Sequence, residues 1–142
     1  MAEYALKRFE DVEENEALPS FDLKVTRTHI IKYVGAGGDF QPIHHDEAFA
    51  VSNGLPSIFA NGLMHGGMLA KVVTDWAGYG VLKQYKIRFT GIVWPGDTLS
   101  FSGHVVHRKQ VNNQNLAAVE LKVVNQNGDA VIAGDALVNF PS

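Results

Sequence analysis

The sequence predicts an α+β fold in which an antiparallel five-stranded sheet wraps a long central helix. Three observations predict it. Residues 62–77 carry apolar side chains around most of a helical circumference: Met64, Met68, Val72 and Trp76 form one stripe, and Leu69 and Val73 form a second. Only Lys71, Thr74 and Asp75 give a polar edge, and such a helix belongs in a core rather than on a surface. One early segment and four later ones alternate apolar and polar residues at strand period, with turn residues between the later ones. A sheet curled around the helix is the natural way to bury it. The 142 residues, 46% hydrophobic and 19% charged, fit one domain spanning 1–142 that is large enough for a real core.

Taken in order, residues 1–19 read as an irregular lead-in, with Glu10, Asp11, Glu13, Glu14 and Glu16 in solvent and Pro19 as punctuation. Phe21, Leu23 and Val25 alternate with Asp22, Lys24 and Thr26, a half-buried strand. Thr26 or Thr28 can cap a short helix through Ile30, Ile31 and Val34 that stops at Gly35, Gly37 and Gly38. Asp46 to Ser52 reads as a second short helix halted by Asn53-Gly54, and 55–61 as a loop. The long helix follows from Gly62 to about Ala77, with Gly62, Gly66 and Gly67 inviting a packing or binding explanation. Strands are expected over Leu82–Thr90, Leu99–His107, Leu116–Val124 and Ala130–Phe140, in meander order. Pro95-Gly96-Asp97, Asn112–Asn115 and Asn127-Gly128-Asp129 supply the turns.

Charge and composition exclude several function classes. The net charge of −3 and the lack of a basic stripe argue against nucleic acid as a partner. With no cysteine, disulfides and thiolate-held zinc are out. No apolar run is long enough to span a bilayer, and residues 1–16 have no signal-peptide core, so a soluble cytoplasmic domain is expected.

The chemistry concentrates in residues 37–46. Gly37 and Gly38 permit unusual backbone angles, while Pro42 fixes its own φ and pushes Gln41 toward extended geometry. Asp39 and His44 are thereby held at a set separation on a stiff turn, the arrangement a proton-transfer pair needs. From the residue types alone, Asp39 can equally cap a turn and His44 can be a packed loop histidine. His44, His45, Asp46 and Glu47 do not make a metal site, because consecutive residues do not readily converge on one ion. His65 reads as a core or interface histidine, and Met64 and Met68 as core filler or lining for a flexible apolar pocket. His104 and His107, three apart on a strand, are expected on opposite faces and carry no site.

The stretch Tyr33-Val34-Gly35-Ala36-Gly37-Gly38-Asp39-Phe40-Gln41-Pro42-Ile43-His44, with Ala50 beyond it, resembles the signature of the MaoC-like R-specific enoyl-CoA hydratases and acyl dehydratases. Phe59-Ala60-Asn61-Gly62-Leu63 and Trp94-Pro95-Gly96-Asp97-Thr98-Leu99 match the start of that family's central helix and a later turn. Phe40-Gln41 with His44-His45, together with Val73-Thr74-Asp75-Trp76-Ala77-Gly78, is similar to small subunits of heteromeric hydratases of steroid side-chain breakdown. Three positions depart from the pattern: Gln41 stands where most members have Asn, Asn61 where many have His, and Ala70 where some have Ser.

The resemblance implies a hot-dog fold and reversible syn hydration of a 2-enoyl thioester. Asp39 and His44 would hold the water, with Asp39 accepting its proton, and the Gly62 amide would donate to the thioester oxygen. Gln41, Pro42, Asn61, Leu63 and Met64 are the expected substrate contacts. No cofactor or metal is expected beyond the acyl-CoA or acyl-carrier-protein thioester itself. The implied assembly is a homodimer, or a heterodimer with another hot-dog chain, since an open sheet leaves edges that want pairing. Two alternatives stand beside this reading: a subunit that needs a second hot-dog chain to build its acyl pocket, and a hot-dog thioesterase.

Overall fold

A computed structural model describes residues 6–141. The elements are β1 (Phe21–Lys24), α1 (Arg27–Gly37), α2 (Glu47–Ser52), α3 (Gly62–Ala77), β2 (Leu82–Phe89), β3 (Thr98–Val111), β4 (Gln114–Val124) and β5 (Ala130–Phe140). The five strands form one antiparallel sheet in the order β1-β3-β4-β5-β2. Helix α3 touches β2 through β5 and buries Leu69, Val72, Val73, Trp76 and Ala77 against Phe101, Val119, Leu121 and Ile132. Leu69 is wholly enclosed, so its truncation to Ala costs about 2–5 kcal/mol. The exposed edge of α3 is the expected one, with Lys71 and Asp75 in solvent and Thr74 half-buried.

Local signals account for the elements that carry the site. Thr26 caps α1: its hydroxyl accepts from His29 N at 3.2 Å, and the His29 ring accepts from Thr26 N. Gly38, at φ 73°, ends the helix in the left-handed conformation glycine tolerates. Asp46 caps α2 by accepting from Phe49 N at 3.0 Å. Asn112 and Asn113 both take positive φ and close the β3–β4 hairpin.

Three sequence expectations are corrected. The sheet is a meander only from β3 to β5; β2 crosses to the far edge and pairs with β5, because residues 90–97 are long enough to carry the chain over the sheet. The lead-in is not merely solvated, leaving aside residues 1–5, which lie outside the described residues. Phe9, Val12 and Leu18 are buried, Glu16 accepts from Trp76 Nε1 at 2.9 Å and pairs with Lys7, and Ala17 bridges to His104. Single apolar residues among acids have no period to read, yet each finds a slot. Finally, a bulge at Val106 sets His104 opposite Glu120 and His107 opposite Ala118, so the two histidines share the outer sheet face.

One ion pair ties the short helices together. Arg27 on α1 donates to the Glu47 carboxylate on α2, which also accepts from Ser57 Oγ and Ile58 N. The Arg27 bond first, then the Ile58 amide, push the Glu47 pKa down to about 2 from its ordinary 4.5. Its stabilising contribution is therefore complete above about pH 4.5 and fades as pH falls toward 2. Thermal unfolding across that window should lose stability more steeply in the wild type than in Glu47→Gln, and equal slopes would show that the clamp contributes nothing.

Candidate active site

The segment after Gly38 places the acid and the imidazole. Pro42 opens a single 3₁₀ turn, Pro42–His44, with His44 N donating to Gln41 O at 3.0 Å. His44 is buried, and its Nδ1 lies 2.7 Å from the carbonyl oxygen of Phe59. A carbonyl only accepts, so this bond assigns the proton to Nδ1 and leaves neutral His44 with a lone pair at Nε2. That nitrogen faces Asp39 Oδ2 at 3.7 Å. The separation exceeds a hydrogen bond and is one that a single water spans.

Residues 59–61 form the hub. Phe59 N donates to Ile43 O at 3.2 Å and Ala60 N to Val93 O at 2.9 Å, so this strap is stitched to the His44 turn on one side and the 91–93 loop on the other. Asn61 is committed at both ends of its amide: Nδ2 donates to Asp39 Oδ2, and Oδ1 caps α3 by accepting from Leu63 N at 2.9 Å. Met64 N donates to the Asn61 carbonyl. The Gly62 N–H, in the same positive first turn, has no acceptor among the described residues. Behind the hub, the buried Asp97 carboxylate holds the 94–97 turn by accepting from Trp94 N at 2.8 Å and Gln126 Nε2 at 2.9 Å.

A cavity of about 270 Å³ opens beside Gly62, lined chiefly by Phe59, Leu63, His65, Phe89, Ile92 and Val93. Asn61 also lines it, whereas Asp39 and His44 do not; Asn61 is the wall between the acid–base pair and the cavity. Glycine at 62 leaves room for the Phe89 ring. A Cβ there would sit 2.8 Å from Phe89 Cε1, and one at Gly66 would sit 2.7 Å from Ile87 Cδ1.

Of the expected site residues, Asp39, His44, Asn61 and Gly62 come together. Leu63 is exposed at the cavity wall, Gln41 is exposed with its backbone N–H donating to Asp39 Oδ1 at 3.4 Å, and Pro42 serves the turn. Met64 is packed in the core and lines no part of the cavity. The sequence reading missed the Phe59 carbonyl, which has no residue-type signal, and Phe89, which reads as an ordinary strand residue. Among the described residues no three His, Asp or Glu side chains cluster as a metal site.

The MaoC like domain model matches residues 9–127, which include every residue of this constellation. The chain belongs to the MaoC-like dehydratase family. It is 39% identical, over 82% of its own length and 88% of the relative's, to the 3-oxo-4,17-pregnadiene-20-carboxyl-CoA hydratase beta subunit of Mycobacterium tuberculosis. Among solved structures, the ChsH1-ChsH2 complex of Mycobacterium tuberculosis aligns at TM-score 0.80 and 29% identity, covering 91% of this chain and 98% of that one. The unliganded R-hydratase PhaJ1 of Pseudomonas aeruginosa aligns at TM-score 0.85 over 96% of this chain and 87% of that one, and at 22% identity it establishes the hot-dog fold alone.

Gly62→Ala should destabilise the protein by up to about 1 kcal/mol in chemical denaturation, because the Phe89 ring, half-exposed at the sheet rim, must shift. Phe89→Leu should recover part of that loss in the double variant. Additive losses would mean the two residues do not share the space.

Proposed function

We propose that this MaoC-like protein is an (R)-specific enoyl-CoA hydratase, or in reverse a 3-hydroxyacyl-thioester dehydratase. The observation that supports it is the Asp39–His44 pair, 3.7 Å apart, with the His44 proton held at Nδ1 and the free Gly62 amide beyond Asn61. Two acceptors, the Asp39 carboxylate and His44 Nε2, engage both hydrogens of one water and leave its lone pair to attack C3 of a 2-enoyl thioester. As the C3–O bond forms, one acceptor takes the water proton and the C2=C3 electron pair moves into an enolate. The Gly62 N–H at the positive end of α3 stabilises the charge on the thioester oxygen. The protonated acceptor, on the same face as the new hydroxyl, delivers its proton to C2, so addition is syn. The acceptor taken here is Asp39, with His44 orienting the water.

A second reading has the chain as one subunit of a heteromeric hydratase. The likeness to a hydratase beta subunit favours it, as do the exposed apolar residues Leu63, Phe89 and Ile92 at the cavity and the open edge of β2. Either way an acyl thioester is the substrate, and the chain pairs through a sheet edge with a copy of itself or with another hot-dog chain. Among the described residues, no helix is long and apolar enough to cross a membrane.

Crotonyl-CoA separates the possibilities. Hydration removes the enoyl-thioester absorbance and yields the R alcohol by chiral analysis, whereas a thioesterase releases free thiol. Asp39→Asn and His44→Ala should each still fold and lose roughly 10²–10⁴ in hydration rate. His44→Ala should also lose some melting temperature, because the ring is buried on Phe59. Near-wild-type turnover in both would remove the proposed site. Silence from the purified chain, followed by activity on adding a second hot-dog chain, would select the heteromeric reading.

A further inference from the structure

The cavity beside the first turn of α3 is apolar apart from the Gly62 amide, the Asn61 side chain, which is spent on Asp39 and Leu63, and His65. His65 is 2% exposed, and its ring stands edge-on to Phe89 at a centroid distance of 6.1 Å. Its Nδ1 is fully enclosed and has no hydrogen-bond partner among the described residues. Native cores rarely leave a buried polar atom unmatched, and one that is unmatched needs an explanation. Burial holds the imidazole neutral by pushing its pKa down to about 4, so it has one N–H to give. An enclosed Nδ1 with no acceptor is best left as a bare lone pair. That places the proton on Nε2, the one donor of a residue that lines the cavity.

We propose that His65 is a specificity residue that selects acyl groups carrying an oxygen acceptor, a hydroxyl or a ketone, inside this cavity. The inference rests on the thioester reading above. Gly62 and His65 are three residues apart on one helix, and a helical side chain leans back over the preceding turn. With the thioester oxygen on Gly62 N–H, the second oxygen lies about one helical pitch away, roughly 5 Å. Oxygen on the fourth or fifth acyl carbon meets that spacing. An all-carbon chain of the same length fills the cavity but leaves the imidazole unpaired, and sites built to hydrogen-bond a ligand oxygen discriminate strongly against analogues lacking it.

A matched pair tests this: 5-hydroxypent-2-enoyl-CoA and hex-2-enoyl-CoA, which differ only by OH for CH₃, with their saturated counterparts as binding probes. Calorimetry on the wild-type protein should give about tenfold or more tighter binding of 5-hydroxypentanoyl-CoA than of hexanoyl-CoA. His65→Leu should abolish or reverse that preference, while His65→Gln, which keeps a donor, should retain it. If turnover is absent even after a second hot-dog chain is added, but the binding preference follows His65, the hydratase reading fails and this inference stands. Equal binding of the two probes, binding of neither, or a preference that survives His65→Leu overturns it. His65→Leu replaces an unmatched buried ring with an apolar side chain, so it should melt no lower than the wild type. Where turnover is present, the kcat/KM ratio of the two enoyl substrates should follow the same order.

Discussion

The site depends on one side chain, the amide of Asn61. One end of it caps the helix that supplies the Gly62 N–H, and the other holds the carboxylate of Asp39. The two halves of the proposed chemistry, the Asp39–His44 pair and the Gly62 amide, come from segments separated in sequence and in secondary structure, and the Asn61 amide links them. An N-cap is worth about 1 kcal/mol on its own. Here it also fixes distance, because moving Asp39 relative to Gly62 would require breaking a bond to a residue that the helix cannot release. A histidine at this position could not bond both partners through one planar amide. The family departure at Asn61 therefore changes how the site is braced while leaving the acid–base pair in place.

Much of this was legible before any coordinates. The apolar circumference of 62–77 marked the buried helix with its true bounds, and Thr26, Gly38 and Asn53-Gly54 marked real ends of helices. Asp39 and His44 stood out because glycine, proline and a paired acid and base in one short run are chemically unusual, and Gly62 because a glycine opens an otherwise apolar helix. What could not be read was long-range or carried by the backbone. The proton on His44 is set by a carbonyl oxygen fifteen residues away, and any residue at 59 would offer the same atom. The position of β2 depends on how residues 90–97 route across the sheet, which alternation does not encode. The bulge at Val106 turned a correct periodicity argument about His104 and His107 into a wrong conclusion, since one extra residue reverses the facing of everything after it.

The scaffold around the site is held largely by polar contacts at its periphery and apolar ones at its centre. Arg27, Glu47 and Ser57 tie α1, α2 and the strap leading to Phe59. The segment bearing Asp39 is thus anchored at both ends while its middle remains open to solvent. That division keeps the site's geometry fixed while leaving it open to solvent.

Phe89 closes the account in a different way. It is the last residue of β2, an outer strand with one flank unoccupied, yet its ring fills the space over Gly62 and Gly66 and faces His65. The inner wall of the cavity is set in the core, but its outer wall hangs from the rim of the sheet. On the proposed function, a chain docking along that rim would shift the room available to the acyl group, and an acyl group that swells the cavity would push back on the docking. One aromatic ring would then link assembly to substrate choice.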